Sequence, residues 1–201
     1  MAGRTPIDRW GPRREQAVST TYTSTANIDL ADGPRAVLMA DGDLEEHLLV
    51  SAFAARWAPS LTFNFAQDGG DLLLQLAAIS NEEELPRALV LNYHMRRRNG
   101  FQILCELQLH PVLWQIPVIV LADTFRPDEE AAAYRAGAQW FQQKPQTVGE
   151  MHDLMLRVDE LSARPFFDQF WGSIELSRFN AEFSAAIEEI LSPTNSKSEE
   201  L

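Results

Sequence analysis

The sequence predicts an α/β fold in which a five-stranded parallel sheet is covered by helices on both faces. Two observations carry that expectation. Short apolar runs alternate five times with stretches of helical periodicity between residues 36 and 161. Most of these runs are apolar without interruption, as strands buried on both faces require. In such sheets ligand and catalytic residues gather at the carboxyl ends of the strands, which puts Asp41, Asn92, Ala122 and Lys144 at one edge.

The elements follow in order. Ala36 to Ala40 is the first strand, and Asp43 stands three residues before Glu46 in a capping-box pattern that opens a helix. Leu44, Leu48, Ala52 and Phe53 follow at helical spacing and are the expected packed face. Leu61 to Phe65 alternates as a second strand, and Gly69-Gly70 breaks the chain before a helix over Leu72 to Ala78. Ala88 to Leu91 is a third strand. Gly100 precedes a helix carrying Phe101, Leu104 and Leu107, and Pro117 to Leu121 is a fourth strand. Pro127 opens a helix whose acidic first turn (Asp128, Glu129, Glu130) suits the helix dipole, and Gly137 is its expected C′ glycine. Trp140-Phe141 mark the fifth strand. Met151, Leu154, Met155, Val158 and Leu161 share one face of the fifth helix.

Composition narrows the function classes. The net charge of -12 argues against nucleic acid, because phosphate contacts need clustered Lys and Arg. No apolar stretch is long enough to span a membrane, and Met1 to Thr25 lacks the apolar core of a signal peptide. The one cysteine, Cys105, cannot form an intrachain disulfide, which suits a reducing cytoplasm; within an apolar helical run it reads as a buried small hydrophobe.

Four ordered segments resemble the receiver domains of response regulators (CheY-like). Leu89-Val90-Leu91-Asn92-Tyr93-His94-Met95 with Asn99-Gly100-Phe101 resembles the phosphoacceptor segment. Ile116 to Ala122 resembles the fourth strand, and Gly137-Ala138-Gln139-Trp140-Phe141-Gln142-Gln143-Lys144-Pro145 the segment ending in Lys-Pro. Ala40-Asp41-Gly42-Asp43 stands at the acidic pair. The resemblance implies a flavodoxin-like, doubly wound sheet in the order 2-1-3-4-5. It implies a receiver over residues 34–162, between a flexible arm (1–33), an amphipathic helical extension (163–191) and a disordered tail (192–201).

The departures from the family fall on its chemistry. Where a receiver carries the Asp that attacks phosphorus, this chain has Asn92, whose neutral amide is a poor nucleophile. Gly42 replaces the second acid and offers no side-chain oxygen to the Mg²⁺ the family uses. Ala122 replaces the hydroxyl that bonds the phosphoryl group. Asp41 and Lys144 remain, a charge-balanced pair that needs no cation; Asp43 is the residue able to swing in as a substitute ligand. No cofactor is expected, and Mg²⁺ binding is expected to be weak or absent. Phe141 matches the switch aromatic, and two expectations stand for it: a ring held inward in one rotamer beside the space Ala122 leaves, or a core aromatic with no switching role. Lys144-Pro145 matches a pair the family usually holds cis. His94 reads as an exposed loop residue without partners.

The expected function is therefore an atypical, non-phosphorylatable receiver that acts as a protein-interaction module, not an enzyme. The resemblance implies a histidine kinase or phytochrome-type sensor as partner, and a homodimer. Candidate interaction residues are Arg96, Arg97 and Arg98 in the loop after the third strand, and Phe166, Phe167, Phe170 and Trp171 in the extension. The competing expectation is a module that binds an anion or nucleotide through the vacated pocket and the Arg96–Arg98 loop.

Overall fold

The apolar runs pair edge to edge and in parallel. The computed structural model describes residues 33–80 and 84–163, together with 183 and 185. β1 (Arg35–Ala40), β2 (Leu61–Ala66), β3 (Ala88–Asn92), β4 (Val118–Ala122) and β5 (Trp140–Gln143) form one sheet in the order β2-β1-β3-β4-β5. The connections are α1 (Leu44–Trp57), α2 (Gly69–Ala77), α3 (Gly100–Leu109) with a 3₁₀ turn at Leu113–Gln115, and α4 (Pro127–Arg135). α5 (Val148–Ser162) follows β5. No described helix is long and apolar enough to cross a membrane. The flexible arm, the tail and the four aromatics at 166, 167, 170 and 171 lie outside the described residues.

Alternation along each strand sorts the core into two layers. Leu38, Leu89, Leu91 and Val120 face α2, α3 and α4, together with Leu72, Leu76, Ile103, Leu104 and Ala133. Val37, Met39, Val90, Ile119 and Leu121 face α1 and α5, against Val50, Ala54, Leu154, Met155 and Val158. Pro127 opens α4, and Gly137 just beyond its end adopts φ +99, a conformation side-chain-bearing residues rarely take.

Four local expectations are corrected. The packed face of α1 is His47, Val50 and Ala54, while Leu44 and Leu48 point to solvent, Leu48 at 72% exposure. The phase of the helix is fixed by His47: its Nε2–H donates to the Asp41 carbonyl at 2.7 Å and its ring stacks on Phe65 at 4.2 Å. A satisfied histidine thus takes a core place that apolar counting assigns to leucine. Asp43 does cap α1, accepting from the Glu45 N–H, but Glu46 does not close the box; its carboxylate goes to Lys144 instead. Cys105 is exposed, because α3 buries Ile103, Leu104 and Leu107 and position 105 falls on the other side of the helix. The Lys144–Pro145 bond is trans.

Candidate functional site

Strand register decides which side chains meet. Ala40 pairs with Ala66 and Leu91, Asn92 with Leu121, and Ala122 with Gln143. The next backbone steps continue the ladder: Asp41 N–H donates to the Ala66 carbonyl, Tyr93 N–H to Leu121 and Lys144 N–H to Ala122. Asp41, Asn92, Ala122 and Lys144 therefore share one edge of the sheet, as the sequence reading placed them.

Lys144 organises this edge. Its ammonium lies 2.7 Å from Asp41 Oδ2, 3.2 Å from Glu46 Oε2 and 3.4 Å from Asp123 Oδ1. Its side chain is 11% exposed. Burial alone would push the ammonium pKa down. The hydrogen bond to Asp41 and the charges of Asp41, Glu46 and Asp123 outweigh burial, and the net shift is upward. Asp41 is 2% exposed and accepts the Asp43 N–H through its other oxygen at 3.0 Å.

Glu46 and Asp123 were not among the expected site residues. They correct the balanced pair: three carboxylates, not one, face a single ammonium. Asp123 was the more findable of the two, since it directly follows Ala122 at the strand end. Glu46 had a competing use in the expected capping box. Burial pushes the Glu46 carboxyl up from its ordinary value, and Lys144 offsets this only in part.

Asn92 is 7% exposed, and its Oδ1 accepts the His94 N–H at 3.0 Å, a local turn that holds the amide at the strand tip. Gly100 closes this loop by donating its N–H to the Tyr93 carbonyl; a Cβ at that position would come within 3.1 Å of the Asn92 carbonyl oxygen. Ala122 is fully buried. Phe141 is 4% exposed and turned inward, with Tyr93 and Phe125 standing edge-on to its ring at 5.9 and 6.3 Å.

The donor set does not fit Mg²⁺. Gly42 has no side-chain oxygen, and Asp43 is engaged as the cap of α1 rather than turned into the pocket. One Asp41 oxygen accepts the Asp43 N–H and the other is held by Lys144. A hard cation needing near-octahedral oxygens finds its main carboxylate already paired with an ammonium.

Two of the loop arginines are engaged. Arg98 pairs with Glu106 at 3.2 Å, and Arg97, with φ 61, lies 3.7 Å from Asp68. Arg96 is exposed. His94 does have a partner: its Nε2 lies 3.2 Å from Glu129 on α4, which Arg126 also approaches. A groove of about 840 Å³ opens between β5 and α5, but Glu150, Asp153, Asp159 and Glu160 line it, and its Arg157 is stacked over Trp140. Neither this groove nor the pocket suits an anion, since carboxylates outnumber cations in both.

This geometry matches solved structures closely enough to fix the fold. The phosphorylated cyanobacterial phytochrome response regulator RcpA superposes with a TM-score of 0.55 at 16% identity, covering 64% of this chain and 93% of that one. The signal receiver domain of a histidine kinase from Syntrophus aciditrophicus gives 0.55 at 16%, with 70% and 99% covered. The chain has the receiver fold. The Mn²⁺-bound form of response regulator Rcp1 is similar as well, at 0.53 and 18% identity, with 70% and 97% covered. No protein-family model and no curated protein matches the sequence.

Proposed function

We propose that this chain is a non-phosphorylatable receiver that works as a protein-interaction module in two-component-type signalling. The observation that carries the reading is the state of the strand edge. An amide stands at the tip of β3, its oxygen tied to the next loop, and the lysine is spent on carboxylates. Nucleophile, phosphoryl-bonding hydroxyl and metal-ligand oxygen are each replaced, at Asn92, Ala122 and Gly42. The inward Phe141 next to Ala122 then stays in one rotamer, and the domain presents one fixed surface. Next to the pocket, α1 exposes Leu44, Leu48 and Leu49, an apolar face that suits a helical partner such as a histidine kinase or phytochrome-type sensor. The working form is a cytoplasmic homodimer without nucleic acid.

The test is exposure of the full chain to acetyl phosphate with Mg²⁺, followed by intact mass and melting temperature. An unchanged mass and an unchanged melting temperature are expected. A phosphoryl adduct overturns the reading. A large melting shift with one member of an anion panel replaces it with a ligand-binding module.

A further inference from the structure

Two strands of the sheet, β2 and β5, have a neighbour on one side only. An outer strand offers its unused backbone groups to other chains, and proteins blunt it with charge, proline or cover. β5 lies beside the groove of α5, where Glu150, Asp153, Asp159 and Glu160 repel a second copy of so acidic a chain. β2 has no such guard. Its residues, Leu61–Ala66, carry no charge and no proline. A groove of about 470 Å³ runs beside it, flanked by Ser51, Ala54, Ala55 and Pro59 and lined by no charged side chain.

The register shows which backbone groups of β2 are left over. Arg35 N–H donates to the Ser60 carbonyl and Asp41 N–H to the Ala66 carbonyl. In a parallel ladder of that phase Thr62, Asn64 and Ala66 turn their backbone groups to β1, and Leu61, Phe63 and Phe65 turn theirs outward. Two outward groups have local partners. Leu61 N–H donates to the Ala58 carbonyl at 2.9 Å, and the Phe65 carbonyl accepts the Gln75 Nε2–H at 3.1 Å. Among the described residues that leaves the Leu61 carbonyl, both groups of Phe63 and the Phe65 N–H.

This remainder is complementary to itself. In two copies of β2 running antiparallel about a two-fold axis at Phe63, the two Phe63 residues exchange both of their bonds. Each Phe65 N–H then meets the Leu61 carbonyl of the other copy. The groups such a pair leaves unmet, Leu61 N–H and the Phe65 carbonyl, are the two already satisfied within the chain. Side chains agree as well. The half-buried Phe63 rings lie next to each other on the α1 side, and exposed Thr62 stands opposite exposed Asn64 of the other copy, with no like charges meeting.

We propose that β2 is a homodimer interface, at which two copies join their sheets edge to edge, antiparallel and centred on Phe63. This gives the homodimer put forward above its contact face and rests on that part of the reading. It does not depend on whether the pocket can be phosphorylated.

The test uses the full chain at rising concentration. Sedimentation should show the mass doubling. Amide exchange at Phe63 and Phe65 should slow as the dimer fills, while exchange at Thr62 and Asn64, whose N–H groups serve β1, should not change. T62K/N64K sets like charges opposite each other in this register and should weaken association by roughly tenfold or more. T62K/N64E sets opposite charges there and should restore the dimer. Both positions are exposed, so each variant should keep the fold. Equal weakening by the two variants overturns the antiparallel register. A dimer whose Phe63 and Phe65 amides exchange freely uses another face and overturns this proposal alone. A monomer at every concentration overturns it together with the homodimer, and leaves the acetyl phosphate result to stand by itself.

Discussion

Two half-buried cations hold opposite edges of this sheet, and they are solved differently. At the amino edge, the Arg35 fork donates to Asp159, Ser60 and Ser162, tying β1 to α5 and to the turn before β2. One carboxylate answers one guanidinium, and neutral oxygens take the remaining donors. At the carboxyl edge, Lys144 faces three carboxylates from β1, α1 and the loop after β4. The first arrangement is charge-balanced and needs nothing further. The second keeps a surplus of negative charge with only one cation to answer it.

The largest effect expected from breaking this contrast is at Lys144. Lys144→Met leaves Asp41 buried and unpaired, and should cost about 3–5 kcal/mol of stability in urea denaturation. Arg35→Met should cost about 1–2 kcal/mol, because Asp159 is 40% exposed and water can replace the guanidinium. Equal losses at the two positions would erase the distinction.

Asn92→Asp adds another carboxylate to the acidic edge. It should not make the chain phosphorylatable, since Ala122 and Gly42 are unchanged. The new carboxyl should have a raised folded-state pKa. Its variant should therefore be most stable below the usual carboxylate range and lose stability as pH rises through that raised value. Urea midpoints measured from acid to neutral pH would show this; a flat difference from wild type would contradict it.

Glu46 supplies a smaller test of the same sign. Burial raises its carboxyl in the folded state, so its contribution is fully present below the ordinary carboxylate pKa and fades as pH climbs through the raised one. Glu46→Gln should flatten the decline toward neutrality. The smallest effect on stability is expected at Leu48→Lys, within about 0.5 kcal/mol because the side chain is already in solvent. Capture of a signalling partner should nonetheless be lost, and retained capture would remove α1 from the interface.

The fold was legible because strands buried on both faces leave apolar runs that nothing else explains. Asp41, Asn92, Ala122 and Lys144 were legible for the same reason: topology alone brings strand ends together. Glu46 and Asp123 were harder to see. Their residue types fit a helix cap and a solvated loop equally well, and only the position of the Lys144 ammonium selects between those uses. His47 misled the reading of α1 because a polar residue on the core face is invisible to apolar periodicity until its partners, the Asp41 carbonyl and Phe65, are known. Cys105 misled by composition, since the apolar stretch around it wraps more than one face of α3.

The central claim is tested most directly by adding beryllofluoride and Mg²⁺ to the isotope-labelled chain and recording backbone amide spectra. Signals of Tyr93, Ala122 and Lys144 should stay where they are. A second, slowly exchanging set of signals at those residues would contradict the account.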